Sequence, residues 1–185
     1  MPLFYKNPDS EMSPVADRPN YLSTIVFYLV LFSLLVGTLL GFPGSAALMA
    51  FAVILLQLKW ANWSTALVKL VAMAFVLGGA MESISVHQGL VIYQGAHGYH
   101  ALPWWMLMLW MLIALHVFGR TGCLRGKPIQ ALLLGASIGP AFILAGDQMR
   151  ILSVPDLSPG LIWAAFEWAS LFGVLSMLAK RYKPR

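Results

Sequence analysis

Charge is scarce in this sequence. Only 10% of its 185 residues are Asp, Glu, Lys or Arg, against about 25% in an ordinary soluble domain. So few ionisable groups cannot cover a water-soluble fold whose hydrophobic fraction is 59%, and the composition calls for lipid as the solvent. Cysteine is nearly absent too. Cys123 stands alone, which excludes an internal disulfide and any multi-cysteine metal site and leaves an inert loop thiol. Also missing are a Walker A loop, GxSxG, HExxH and a Rossmann GxGxxG. Nothing therefore marks a nucleotide, a serine nucleophile or a haem, and no cofactor is expected. No repeat, heptad or paired discontinuous helix of the transporter kind is visible.

What is present is a series of long apolar runs. Crossing a hydrocarbon core takes roughly 20 residues, or about 17 where the bilayer thins. Six runs qualify: Tyr21 to Leu40, Pro43 to Trp60, Trp63 to Ser85, Leu102 to Phe118, Pro128 to Gly146 and Pro159 to Leu178. The turn "GFPG" makes the first two an antiparallel hairpin. Pro43, Pro103, Pro128 and Pro159 fall at predicted helix starts, where a missing N–H is harmless. Pro140 lies inside the fifth run and is expected to kink it or to need cover for freed carbonyls. Residues 1–20, polar and proline-rich, read as a disordered cytoplasmic tail. Residues 21–179 form the membrane domain, and 180–185 a basic cytoplasmic tail.

The net charge of +5 does not imply nucleic acid, because the cations flank apolar blocks instead of lining one face. With six crossings, Lys6, Arg18, Lys59, Lys69, Arg120, Arg125, Lys127 and the C-terminal cluster share one side, and Arg150 alone takes the other. The positive-inside rule puts both termini in the cytoplasm. The expected fold is an all-α membrane protein, a six-helix bundle with N-in, C-in topology. Trp60, Trp63, Trp104 and Trp105 flank spans, where indoles settle at headgroup level. Gly37 and Gly41, and Gly135 and Gly139 in "GASIG", have the spacing that lets helices approach closely.

Few residues carry chemistry. Glu82 closes the third run; it is either a polar anchor or proton donor facing an internal cavity, or a carboxylate solvated at the headgroups. Glu167 lies mid-span, where an ionised carboxylate facing lipid costs at least about 2.5 kcal/mol, so it faces the bundle, is protonated, or pairs. Asp147 and Arg150 share a helix face only if the fifth helix continues that far; they form an interfacial ion pair or hold a lipid headgroup or partner protein. Lys69 is expected to snorkel to the interface. His116 reads as a helix-end hydrogen-bonder. His87, His97 and His100 lie in or beside the outer loop, but Gly95 and Gly98 interrupt any helix there and no four-ligand pattern closes, so no metal site is expected.

The segments "ESISVHQGLVIYQ", "LPWWMLMLWMLIALHVF" and "GASIGPAFILAG" resemble, in that order, a bacterial inner-membrane family known as domain of unknown function 2878. The resemblance spans about residues 22 to 180 and rests on Glu82, Gly89, Pro103, Trp110, Gly139, Pro140 and Gly146. The chain departs from it just after Gly146, where "DQMRIL" carries charge in place of small, apolar residues. The resemblance implies a multi-pass inner-membrane protein with no assigned activity, whose relatives are encoded beside lipid-modifying enzymes. The favoured function is an accessory or scaffold protein binding membrane lipids or other inner-membrane proteins. One alternative is a small membrane-embedded enzyme acting on a lipid or isoprenoid, with Glu82 and Glu167 as acid–base groups and His87 as a further catalytic candidate. Another is a proton-coupled transporter using Glu167.

Overall fold

A computed structural model describes residues 21–94 and 102–181. Six helices account for most of them: α1 (Tyr21–Leu39), α2 (Pro43–Trp60), α3 (Thr65–His87), α4 (Trp104–Arg120), α5 (Pro128–Gln148) and α6 (Leu157–Arg181). Five are long and apolar enough to cross a membrane, and α4 is a shorter apolar helix. Two short strands, β1 (Ile92–Tyr93) and β2 (Leu152–Ser153), pair antiparallel and tie the α3–α4 connection to the α5–α6 connection.

Pro43 and Pro128 open their helices as expected, whereas Pro103 precedes α4 as its N-cap. Pro159 falls inside the first turn of α6, which starts at Leu157. α5 continues through Pro140 without ending. Turn chemistry fixes the α1–α2 hairpin. Gly41 has φ +84°, and no side chain lies within 4 Å of where its Cβ would be, so it serves the turn and not the helix contact its spacing suggested. Gly37 does make that contact: a Cβ there would come within 2.6 Å of Ala46 Cβ.

Apolar side chains point outwards. Phe32, Leu48, Ile129 and Ile162 are each at least two-thirds exposed, a surface that water would drive into aggregates and that hydrocarbon accepts. Polar groups lie inside, among them Gln57, Glu82, His116, Glu167 and Ser176. The helix at the centre is α4, buried on every side from Trp105 to Ile113 apart from Met111. It packs against α1, α2, α3 and α6, while the main helix partner of α5 is α6. Trp105 thus belongs to the core and not to a headgroup belt, whereas Trp60, Trp63 and Trp104 remain exposed.

Side-chain hydrogen bonds anchor the other end of the bundle. The last seven residues of α4, Ala114–Arg120, are wound as a π-helix, which leaves its final carbonyls poorly served. Arg125 supplies donors to them: Nε donates to Phe118 O at 3.3 Å and Nη2 to Gly119 O. Ser176 of α6 donates to Leu124 O at 2.6 Å and accepts from Lys127 N at 3.0 Å. The α4–α5 loop is thereby fixed to the C-terminal part of α6, gathering Arg125, Lys127 and Lys180 at one end of the bundle. Arg150 lies at the opposite end, with the strand pair.

Candidate functional site

Glu82 lies about 7.5 Å, or five residues at 1.5 Å each, from the end of α3. It is 1% exposed, which rules out the solvated carboxylate. Both of its oxygens accept: Tyr93 Oη donates to Oε2 at 2.6 Å, and Trp110 Nε1 donates to Oε1 at 3.2 Å. Gly78, one helical turn earlier on the same face, creates the opening. A Cβ there would lie 2.5 Å from Trp110 Cγ, so only glycine lets the indole lie against α3 and reach the carboxylate. Tyr93 is held by β1 and packs edge-on to Trp105, ring centroids 5.5 Å apart. Burial, and then the neighbouring Glu82 carboxyl, push its phenol well above the ordinary value, so Tyr93 remains a donor.

Glu167 enters the same interior from α6. It is 3% exposed and close enough to Glu82 for the two carboxyls to interact electrostatically. The Trp163 indole, one turn before it, faces the Glu167 carboxyl as a hydrogen-bond donor, although neither Trp163 Nε1 nor Glu167 Oε1 meets strict hydrogen-bond geometry with any described group. The adjacent Trp168 packs against Trp110, ring centroids 4.7 Å apart and the planes tilted by 52°. That indole needs the glycines of "GASIG": a Cβ on Gly139 would come 2.8 Å from Trp168 Cγ and 2.4 Å from Ala164 O. On the far side of Gly139, Gly146 closes against Leu152 of β2, where a Cβ would lie 2.8 Å from its Cδ2. The three segments of the resemblance thus meet in one place, Glu82 with Trp110 and Trp110 with the helix packed on Gly139. The chain belongs to this family. The profile described as a protein of unknown function (DUF2878) matches residues 20–174. No curated protein and no solved structure matches it.

In this DUF2878 chain the charged departure after Gly146 has its own geometry. α5 ends at Gln148, so Asp147 and Arg150 do not share a helical face. Arg150 instead takes the left-handed position beyond the helix end, φ 58°, where glycine is usual. Its N–H donates to Asp147 O at 3.0 Å, and Ile151 N donates to Gly146 O at 2.9 Å. Asp147 Oδ1 accepts from Val154 N at 3.2 Å. The exposed side chains of Asp147 and Arg150 line a chamber of about 300 Å³ with Tyr93, Gln94 and Ser153.

Two further hollows adjoin it. A chamber of about 680 Å³ between the α1–α2 turn and the start of α4 is lined by Thr38, Ser45, Gln94 and Trp104 among others. It shares Gln94 with the Arg150 chamber. It shares Gly44 and Trp104 with an almost wholly apolar groove of about 550 Å³ between α2, α3 and α4, walled by Leu48, Phe51, Phe75 and Met108. The three hollows therefore share lining residues in sequence, from the apolar groove between α2, α3 and α4 to Arg150.

The other residues singled out in the sequence lie elsewhere. His87 is exposed at the end of α3, and His97 and His100 lie outside the described residues. The His116 ring is buried, stacked on Phe27 at 4.2 Å, and its Nδ1 has no hydrogen-bond partner among the described residues. Its backbone oxygen, not its ring, serves the helix end, accepting from Thr121 N and Oγ1, both at 2.9 Å. Lys69 is exposed, one turn into α3. Tyr93 was the important omission. Its place in the apolar stretch "LVIY" concealed it, and a phenol there was the available signal, since a buried Tyr O–H usually finds an acceptor.

Proposed function

We propose that the protein crosses a bacterial inner membrane six times with both termini in the cytoplasm, and that it binds an anionic membrane lipid at its outer end as an accessory or scaffold protein. The row of three hollows with shared lining residues carries this reading. One hydrocarbon chain lies in the apolar groove, the glycerol region contacts Thr38, Ser45 and Gln94, and the phosphate reaches Arg150. Each hollow falls within the range of about 300–1,000 Å³ usual for ligand sites. The charge partition supports the orientation: Lys59, Arg120, Arg125, Lys127 and Lys180 belong to helix ends and loops on one side, with Arg150 opposite.

Arg150→Gly separates binding from folding, since glycine suits φ 58° better than arginine does. The test is native mass spectrometry of protein taken from bilayers of equal phosphatidylglycerol and phosphatidylcholine. The wild type is expected to retain phosphatidylglycerol preferentially; Arg150→Gly loses the preference while melting no lower, and Gly44→Trp, which blocks the groove, loses both lipids. Equal retention of the two lipids by the wild type, or an unchanged preference in Arg150→Gly, contradicts the reading.

One observation favours a membrane-embedded enzyme as the second reading. Tyr93 lines the Arg150 chamber while its hydroxyl touches Glu82, placing acid–base groups behind the headgroup. Lipid profiling of cells carrying Glu82→Gln and Glu167→Gln tests it; an unchanged lipid composition excludes it.

A further inference from the structure

A single cation such as Arg150 does not tell one anionic headgroup from another. Asp147 lines the same chamber of about 300 Å³ and has no part in holding a phosphate. It is the penultimate residue of α5, and its Oδ1 accepts from Val154 N at 3.2 Å, which ties the helix end to the segment leaving β2. The other oxygen, Oδ2, has no hydrogen-bond partner among the described residues. Nor does the carboxylate form an ion pair with Arg150, although the two are close in the chain. Backbone geometry keeps them apart: α5 stops at Gln148, and Arg150 takes φ 58° beyond it. A guanidinium and a carboxylate oxygen thus line one chamber without neutralising each other.

We propose that Asp147 sets the headgroup specificity of this chamber: Oδ2 accepts from a hydroxyl beyond the phosphate that Arg150 holds, so the site selects a hydroxylated phosphodiester of the phosphatidylglycerol class. This rests on the lipid binding proposed above and adds the substrate class. The two groups ask for different chemistry. A guanidinium only donates and suits phosphate oxygens, whereas a carboxylate only accepts. A headgroup whose phosphodiester ends in an alkyl cap satisfies the first and leaves the second unmatched beside a negative phosphate. One that ends in a diol satisfies both. The order of contacts along the hollows agrees: chain in the apolar groove, backbone glycerol at Thr38, Ser45 and Gln94, phosphate at Arg150, headgroup hydroxyl at Asp147. Gln94 belongs to both polar hollows, and its amide can donate to the phosphate or accept from the second hydroxyl. An ammonium is the other donor that lipid phosphodiesters carry, and phosphatidylethanolamine provides the arm that separates it.

Native mass spectrometry of the full chain, taken from bilayers of equal phosphatidylglycerol, phosphatidylmethanol and phosphatidylcholine, tests it. Phosphatidylmethanol has the same charge and the same phosphodiester but no hydroxyl. The wild type is expected to retain phosphatidylglycerol over phosphatidylmethanol by about threefold or more, the scale of one exposed charge-assisted hydrogen bond. Asp147→Asn keeps an oxygen for Val154 N–H and replaces the charged acceptor by an amide. Its ratio falls to about half the wild-type value, since a hydrogen bond between neutral groups is about half as strong, while both anionic lipids stay ahead of phosphatidylcholine. A wild type that prefers both anionic lipids equally over phosphatidylcholine, or an unchanged ratio in Asp147→Asn, overturns the proposal and leaves the lipid reading standing. No preference for either anionic lipid overturns both. In a second bilayer phosphatidylethanolamine replaces phosphatidylglycerol. Its Asp147-dependent retention there, together with equal retention of the two anionic lipids in the first, assigns Oδ2 to an ammonium and also overturns the proposal.

Discussion

Trp110→Phe keeps most of the ring that fills the space above Gly78 but deletes the N–H that serves Glu82. A buried acceptor left unmatched costs about 1–3 kcal/mol in water-soluble proteins, and membrane-protein hydrogen bonds average nearer 0.6. A loss of about 1–2 kcal/mol is therefore expected, read as a lower melting temperature in detergent. Trp63→Phe, at an exposed indole, should stay within about 0.5 kcal/mol of the wild type. Equal effects would mean that the N–H to Glu82 contributes nothing. The residue-level site was only half legible in the sequence. Glu167 was narrowed to facing the bundle, being protonated or pairing, because an ionised mid-span carboxylate is costly in hydrocarbon, and the structure places it inside. Glu82 was ambiguous because a helix end near the interface suits a solvated carboxylate equally well. Its two donors come from positions 11 and 28 residues away, a relation that no local pattern carries.

Glycines separate the helix contacts that matter from those that do not. At Gly135 a Cβ would come within 2.4 Å of the Trp168 carbonyl oxygen, while at Gly173 nothing lies within 4 Å. Gly135→Ala should push α5 from α6 and lower the melting temperature. Gly173→Ala should raise it, gaining up to about 1 kcal/mol of helix propensity. The opposite ordering in a thermal melt would contradict the α5–α6 packing. The "GASIG" spacing made this contact legible, because small residues four apart stack on one helical face. The same spacing misled at Gly41, whose positive φ serves a turn. That α4 is the central helix could not be read at all: a helix apolar all round looks the same against lipid as against protein. Its π-helical end left no sequence signal either, since the carbonyls it exposes are served by Arg125 from the following loop.

For the whole molecule, hydropathy and charge were informative because each reports on the solvent. Apolar residues recur at the length a bilayer demands, and nearly all cations collect on alternate connections. Lipid binding at the outer end depends on the strand pair and the α4–α5 loop facing opposite compartments. The single native thiol makes this testable without adding a tag. Cys123 is exposed in the α4–α5 loop, and Ser153 is exposed on β2. Labelling intact spheroplasts with a membrane-impermeant maleimide should leave Cys123 unmodified until the membrane is opened. The Cys123→Ser, Ser153→Cys double variant should react at once. Modification of both positions from the outside, or of neither, would contradict the account.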